Sequence, residues 1–190
     1  MFGKGHYFEI VSLRAVLQLG WSKPKTLFSN IVFLNVSDDV SVASDNGAYY
    51  TKDETWYSSG SFWLKITPQG IRKVLNWIKD SYDNPPVIIT ENGVSDNLGN
   101  LDDLMRIYYY KHYINNVLKS IKLDQCNVQG YIAWSLLDNF EWSFGYSMKF
   151  GLVQVDFSSP NRTRTPKESS KYIAKIARDN GFIQSTGPCF

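Results

Sequence analysis

V-I-I-T-E-N-G, residues 87–93, joins a β-branched apolar run to one glutamate and an Asn-Gly turn, directly after Pro85 and Pro86. A run this short, bounded by turn formers, is unsuited to a helix and fits a strand buried on both faces, as in a parallel sheet. Glu91 then stands at the carboxyl end of that strand. Parallel α/β barrels draw their catalytic groups from strand carboxyl ends and the loops beyond them, and a charge on an apolar strand is costly without a role. The plainer alternative is a carboxylate at a sheet edge, satisfied by backbone donors.

A second block bears on that choice. Residues 130–150 read G-Y-I-A-W-S-L-L-D-N-F-E-W-S-F-G-Y-S-M-K-F, so that Glu141 lies between Phe140 and Trp142. Aromatic faces and carboxylates in one loop suit a sugar, whose C–H faces stack on rings while its hydroxyls need fixed acceptors. I-T-E-N-G and W-S-L-L-D-N-F-E-W together resemble glycoside hydrolase family 1, which includes β-glucosidases, lactase-like proteins and myrosinases. Further similar pieces occur in family order: S-F-W-L-K-I-T-P-Q-G-I-R-K, R-I-Y-Y-Y-K, K-F-G-L-V-Q-V-D-F and R-T-P-K. The resemblance runs from about Asp38 to about Phe182. Its later wording, D-F-S-S-P-N-R-T-R-T-P-K, is similar to animal members, insect ones in particular.

The resemblance implies an α/β fold, the closing units of a (β/α)8 barrel, about strands six to eight with their helices. It also implies a retaining β-glucosidase chemistry that uses no metal or organic cofactor. Such enzymes need two carboxyl groups about 5–5.5 Å apart, a nucleophile and an acid/base. By the resemblance Glu91 is the nucleophile. Glu141 and Trp142 bind outer hydroxyls of the sugar, Trp134 is the platform on which it stacks, and Phe150 is an aromatic wall. The Trp134–Ser135 peptide bond is expected in cis. The acid/base of the family sits in an Asn-Glu-Pro context that none of the five glutamates (Glu9, Glu54, Glu91, Glu141, Glu168) shares. The chain is therefore expected to be inactive alone, and a non-catalytic carbohydrate- or protein-binding descendant is the rival reading.

A complete barrel takes about 250 residues, so a chain of 190 reads as a fragment. Residues 1–37 match no barrel pattern and 38–190 read as the C-terminal part of the barrel. Residues 31–36 either stand in for the sixth strand or are foreign to the fold. Further along, Thr67 and Pro68 predict the cap and first residue of a helix with Ile71, Val74, Leu75 and Ile78 on its inner face. A long helix is expected from about Asp102 to Lys122, with Ile107, Tyr110, Ile114, Val117, Leu118 and Ile121 inward and Asp102 and Asp103 at its positive end. Residues 128–134 predict a strand and 151–157 an extended run. Thr165, Pro166, Lys167 and Glu168 read as a capping box for a last helix, ended by Asn180-Gly181.

Composition narrows the function classes. The net charge is +2 and no Lys/Arg cluster tracks a phosphate backbone or anionic membrane, so nucleic acid is not expected as a partner. Cys126 and Cys189 have no CxxC spacing, and His6 and His112 add no ligand pattern, so no metal site is expected; a disulfide between the two cysteines stays open. No apolar run approaches a membrane span, and the first residues, M-F-G-K-G-H-Y, lack the core of a secretory signal, which leaves the compartment undetermined. Asn35-Val36-Ser37 and Asn161-Arg162-Thr163 are glycosylation acceptor patterns that matter only on a secretory route. The expected partner is a small β-glycoside, with association through the open sheet edges of an incomplete barrel.

Overall fold

The computed structural model describes residues 53–182 and, as backbone, three short strands before them. These are β1 (Phe8–Ile10), β2 (Ile31–Phe33) and β3 (Ala48–Tyr50). The side chains of these three strands, together with His6, Asn35 and Cys189, lie outside the described residues. Then follow β4 (Tyr57–Ser58), β5 (Lys65–Ile66), α1 (Gln69–Ser81), β6 (Val87–Asn92), α2 (Leu104–Lys122), β7 (Val128–Ala133), β8 (Val153–Val155), β9 (Arg164–Pro166) and α3 (Glu168–Asp179).

A three-stranded parallel sheet of order β1-β6-β7 organises the chain. β6 is the strand expected from V-I-I-T-E-N. Val87 and Ile89 are buried, and they join Ile71, Val74, Leu75 and Ile78 of α1 and Tyr109, Tyr110, Tyr113 and Val117 of α2 in one core. Alternation puts Ile88 on the opposite face, where Gly130 of β7 lies against it. Ile88 is 44% exposed and Ile132 55%, so this second face is apolar but uncovered among the described residues. Such a face is what the inner wall of an open barrel would present.

Several local expectations need correction. Residues 31–33 do not line up beside β6; they pair antiparallel with β3, and Phe8–Ile10 runs parallel to Val87–Ile89 instead. The Thr67 amide donates to the Tyr113 hydroxyl at 3.1 Å, while α1 opens after Pro68 without a side-chain cap. α2 starts at Leu104 with Asp103 as its N-cap residue, at the positive end as expected, although the Asp103 carboxylate makes no cap bond and binds Arg106 and Ser169 instead. Tyr110 and Val117 of α2 are buried and Ile114 and Ile121 pack against the core as expected, but the buried face is wider than that stripe. Arg106, Tyr109, Tyr110, Tyr113, Val117 and Ser120 are inside, while Leu118 is exposed. Aliphatic periodicity misled here because tyrosines and one arginine, each given a polar partner, fill the helix–sheet seam. No capping box forms either: Thr165 belongs to β9, which pairs with β8 as an antiparallel hairpin, and Glu168 binds Lys171 at 2.6 Å. The ending of α3 is as expected, with Asn180 left-handed at φ 46° and the Gly181 amide donating to the Ile176 carbonyl.

Candidate active site

Glu91 is the fifth residue of β6 and is half-buried, one position before the buried Asn92. Asn92 pairs in register with Ala133, so Glu91 and Trp134 emerge at the same end of adjacent parallel strands. The junction is tight. A Cβ on Gly93 would overlap the Trp134 carbonyl oxygen, which makes glycine the residue that lets the two strand ends meet. The Trp134 amide donates to the Asn92 carbonyl at 2.9 Å, the Tyr110 hydroxyl donates to the Trp134 carbonyl at 2.9 Å, and the Tyr131 hydroxyl donates to Asn92 Oδ1 at 2.7 Å. Burial pushes both phenols upward, so they stay protonated and keep donating. The Trp134–Ser135 peptide bond is cis, as expected.

The loop after β7 is pinned on its inner side and open on its outer one. Ser135 exchanges backbone hydrogen bonds with Phe150 and Leu152 at 3.1 and 2.8 Å. Asp138 is buried and accepts from the Gly151 amide at 2.8 Å and from Lys167 Nζ at 3.1 Å. Gly151 has no room for a side chain, since a Cβ there would overlap the Asp138 amide nitrogen. Burial, then the Arg106 charge, pulls the Lys167 ammonium below its ordinary value, with the Asp138 charge opposing. Beyond this clamp, Glu141 is half-buried ahead of a single 3-10 turn, Trp142–Phe144, and its amide donates to the Gly145 carbonyl at 2.6 Å. Trp142 is 76% exposed and Trp134 37%.

Glu91, Trp134, Glu141 and Trp142 thus all follow from the same end of β6 and β7. Phe150 differs in exposure: it is buried at 8%. Two groups went unnoticed in the sequence. One is aromatic, with Trp63 at 4.7 Å and Phe62 at 6.2 Å from Phe144, extending the surface beside Trp142. The adjacent aromatics of S-F-W were a legible signal, because they belong to no helical stripe. The other is Arg106, fully buried, which binds the carboxylates of Asp96 and Asp103, the Val94 carbonyl at 3.2 Å and the Lys149 carbonyl at 2.6 Å. It ties the segment after Glu91 to the segment before Phe150, where Asp96 and Lys149 also exchange backbone hydrogen bonds. Nothing in R-I-Y-Y-Y-K distinguished this arginine from a surface charge.

Residues 28–182 match the sequence profile described as Glycosyl hydrolase family 1. The chain is 43% identical to human lactase/phlorizin hydrolase over 166 residues, covering 85% of this chain and 9% of that protein. Myrosinase 1 of Brevicoryne brassicae is 42% identical over 83% of this chain and 38% of its own length. Human cytosolic beta-glucosidase is 43% identical over 78% of this chain and 31% of its own length. Among solved structures, an aphid myrosinase superposes with a TM-score of 0.68 at 42% identity, covering 78% of this chain and 32% of that one. The chain therefore spans well under half the length of each of these relatives.

Proposed function

The chain belongs to glycosyl hydrolase family 1, and from that premise we propose that it is the C-terminal portion of a retaining β-glucosidase-type barrel, covering about strands six to eight. β6 and β7 are the seventh and eighth strands on this reading, residues 38–190 are the main barrel part, and β1 from ahead of it takes the place beside β6. Glu91 is the nucleophile, whose ionised carboxylate attacks the anomeric carbon of a β-glycoside and displaces the leaving group to give a glycosyl ester. Glu141 accepts hydrogen bonds from the outer sugar hydroxyls, the Trp142 indole N–H donates to the same sugar, and Trp134 offers the face on which the ring stacks. Phe150 is the aromatic wall position of the sugar site.

The observation that carries this reading is the shared strand end: Glu91 and the Trp134-to-Trp142 loop leave adjacent parallel strands side by side, locked where Gly93 meets Trp134. Barrel enzymes of this architecture keep their chemistry at that end. What the sequence lacks is a glutamate in the acid/base context, so protonation of the leaving oxygen has no assigned donor. General acid catalysis is worth about 10²–10⁴-fold, and the chain alone is expected to be inactive on ordinary glycosides.

The test separates the nucleophile from the missing acid. Residues 1–190 are expressed, shown to be soluble and folded, and assayed on an aryl β-glucoside beside Glu91→Gln. Turnover well above that control would overturn the expected inactivity. An activated 2-fluoro glucoside, whose leaving group departs without a proton, is then offered as a trap. A covalent label on Glu91 by peptide mass spectrometry supports the assignment, and a label on any other carboxylate refutes it. Saccharide binding that is unchanged in Glu91→Gln, with no label at all, would favour the non-catalytic binding reading.

A further inference from the structure

We propose that Asn161 is an acceptor site for an N-linked oligosaccharide. Asn161-Arg162-Thr163 has the acceptor spacing, with a residue other than proline in the middle. The fold places it at the tip of the β8–β9 hairpin, and all three residues are exposed. The tip is held together by other groups. The Asp156 amide donates to the Thr163 carbonyl at 2.9 Å, Asp156 Oδ1 accepts from the Ser158 amide at 2.9 Å and hydroxyl at 2.6 Å, and the Arg162 guanidinium donates to the Ser159 carbonyl at 2.7 Å.

Neither the Asn161 amide group nor the Thr163 hydroxyl makes a side-chain hydrogen bond among the described residues, so the two groups a transferase must engage carry no structural duty. Thr163 also lines a groove of about 520 Å³ with Tyr146, Lys149 and Phe157. The Tyr146 and Phe157 rings lie 4.0 Å apart, and Lys149 Nζ is 5.4 Å from the Phe157 ring centre. This groove, which Thr163 borders and Asn161 does not, offers an aromatic face and a cation beside the same hairpin, the surface chemistry on which pyranose rings rest.

The co-reactant is a lipid-diphosphate-linked oligosaccharide. The Asn161 amide nitrogen bonds to C1 of its first sugar, the C1–O bond to the diphosphate breaks with its electron pair leaving on the lipid diphosphate, and the amide gives up one proton. The modification adds bulk and hydration to a surface turn.

The full chain carrying Asn35→Gln is fused to a cleavable secretory leader and a C-terminal tag with its own acceptor sequence, translated with microsomes and treated with peptide N-glycosidase. Two enzyme-sensitive mobility steps are expected, one from the tag and one from Asn161. Asn161→Gln and Thr163→Ala should each retain only the tag step, and Thr163→Ser should keep both. A single step in the parent chain, or two steps in Asn161→Gln, would overturn the proposal.

Discussion

Replacing Arg106 by leucine should remove a large share of the stability of this chain. The guanidinium is fully buried and faces two carboxylates, Asp103 and Asp96, whose side chains are 3% and 17% exposed. Breaking a buried ion pair from one side costs about 3–5 kcal/mol, because the surviving charge is left desolvated. The Val94 and Lys149 carbonyls lose a donor as well; each unsatisfied buried acceptor costs about 1–3 kcal/mol, partly offset by the apolar volume of leucine. A loss of about 4 kcal/mol, set against a total of about 5–15 for a domain, leaves the fold marginal. With a urea dependence of about 2 kcal/mol/M, the unfolding midpoint should fall by about 2 M, read by tryptophan fluorescence. Arg106→Lys should recover only part, since an ammonium cannot reproduce the forked contacts. Adding Asp96→Asn and Asp103→Asn to Arg106→Leu should recover more than either alone. A loss below about 1 kcal/mol in Arg106→Leu would refute the reasoning and reduce the cluster to a surface-like pair.

Gly93→Ala should disrupt the junction between the strand ends, because the new Cβ overlaps the Trp134 carbonyl; loss of glycoside labelling at Glu91 together with a lower urea midpoint is expected, and an unchanged midpoint would count against the close approach. The Asp124 carboxylate is held well below its ordinary value of 3.8, first by Arg72 and then by Asn76. Its folded value is depressed, so its contribution is fully present above about pH 4 and is lost as pH falls below that. Asp124→Asn should therefore flatten the acid limb of a stability-versus-pH curve, and an acid limb as steep as in the parent chain would show that other carboxylates control it. Ile88 and Ile132 face outward from the uncovered side of the sheet. Ile88→Thr with Ile132→Thr should raise the monomer fraction in size-exclusion chromatography, whereas unchanged association would move the contact to the strand edges.

The sequence by itself determined the elements whose signals are local. A β-branched run between Pro86 and Asn92-Gly93 specifies β6, the stripe of Ile71, Val74, Leu75 and Ile78 specifies α1, and Asn180-Gly181 ends α3. The motifs around Glu91 and Glu141 were legible for the same reason, each being contiguous and chemically unusual. Tertiary structure alone decided the partners. Whether Phe8–Ile10 or Ile31–Phe33 lies beside β6 depends on which strand can offer a matching edge, and a three-residue apolar run carries no mark of its neighbour. The inward turn of Arg106 and Lys167 was equally hidden, because a cation reads as surface until the fold brings Asp96, Asp103 and Asp138 against it. Burying a charge is unfavourable alone and tolerable only in company, and that company is assembled from residues far apart in the chain.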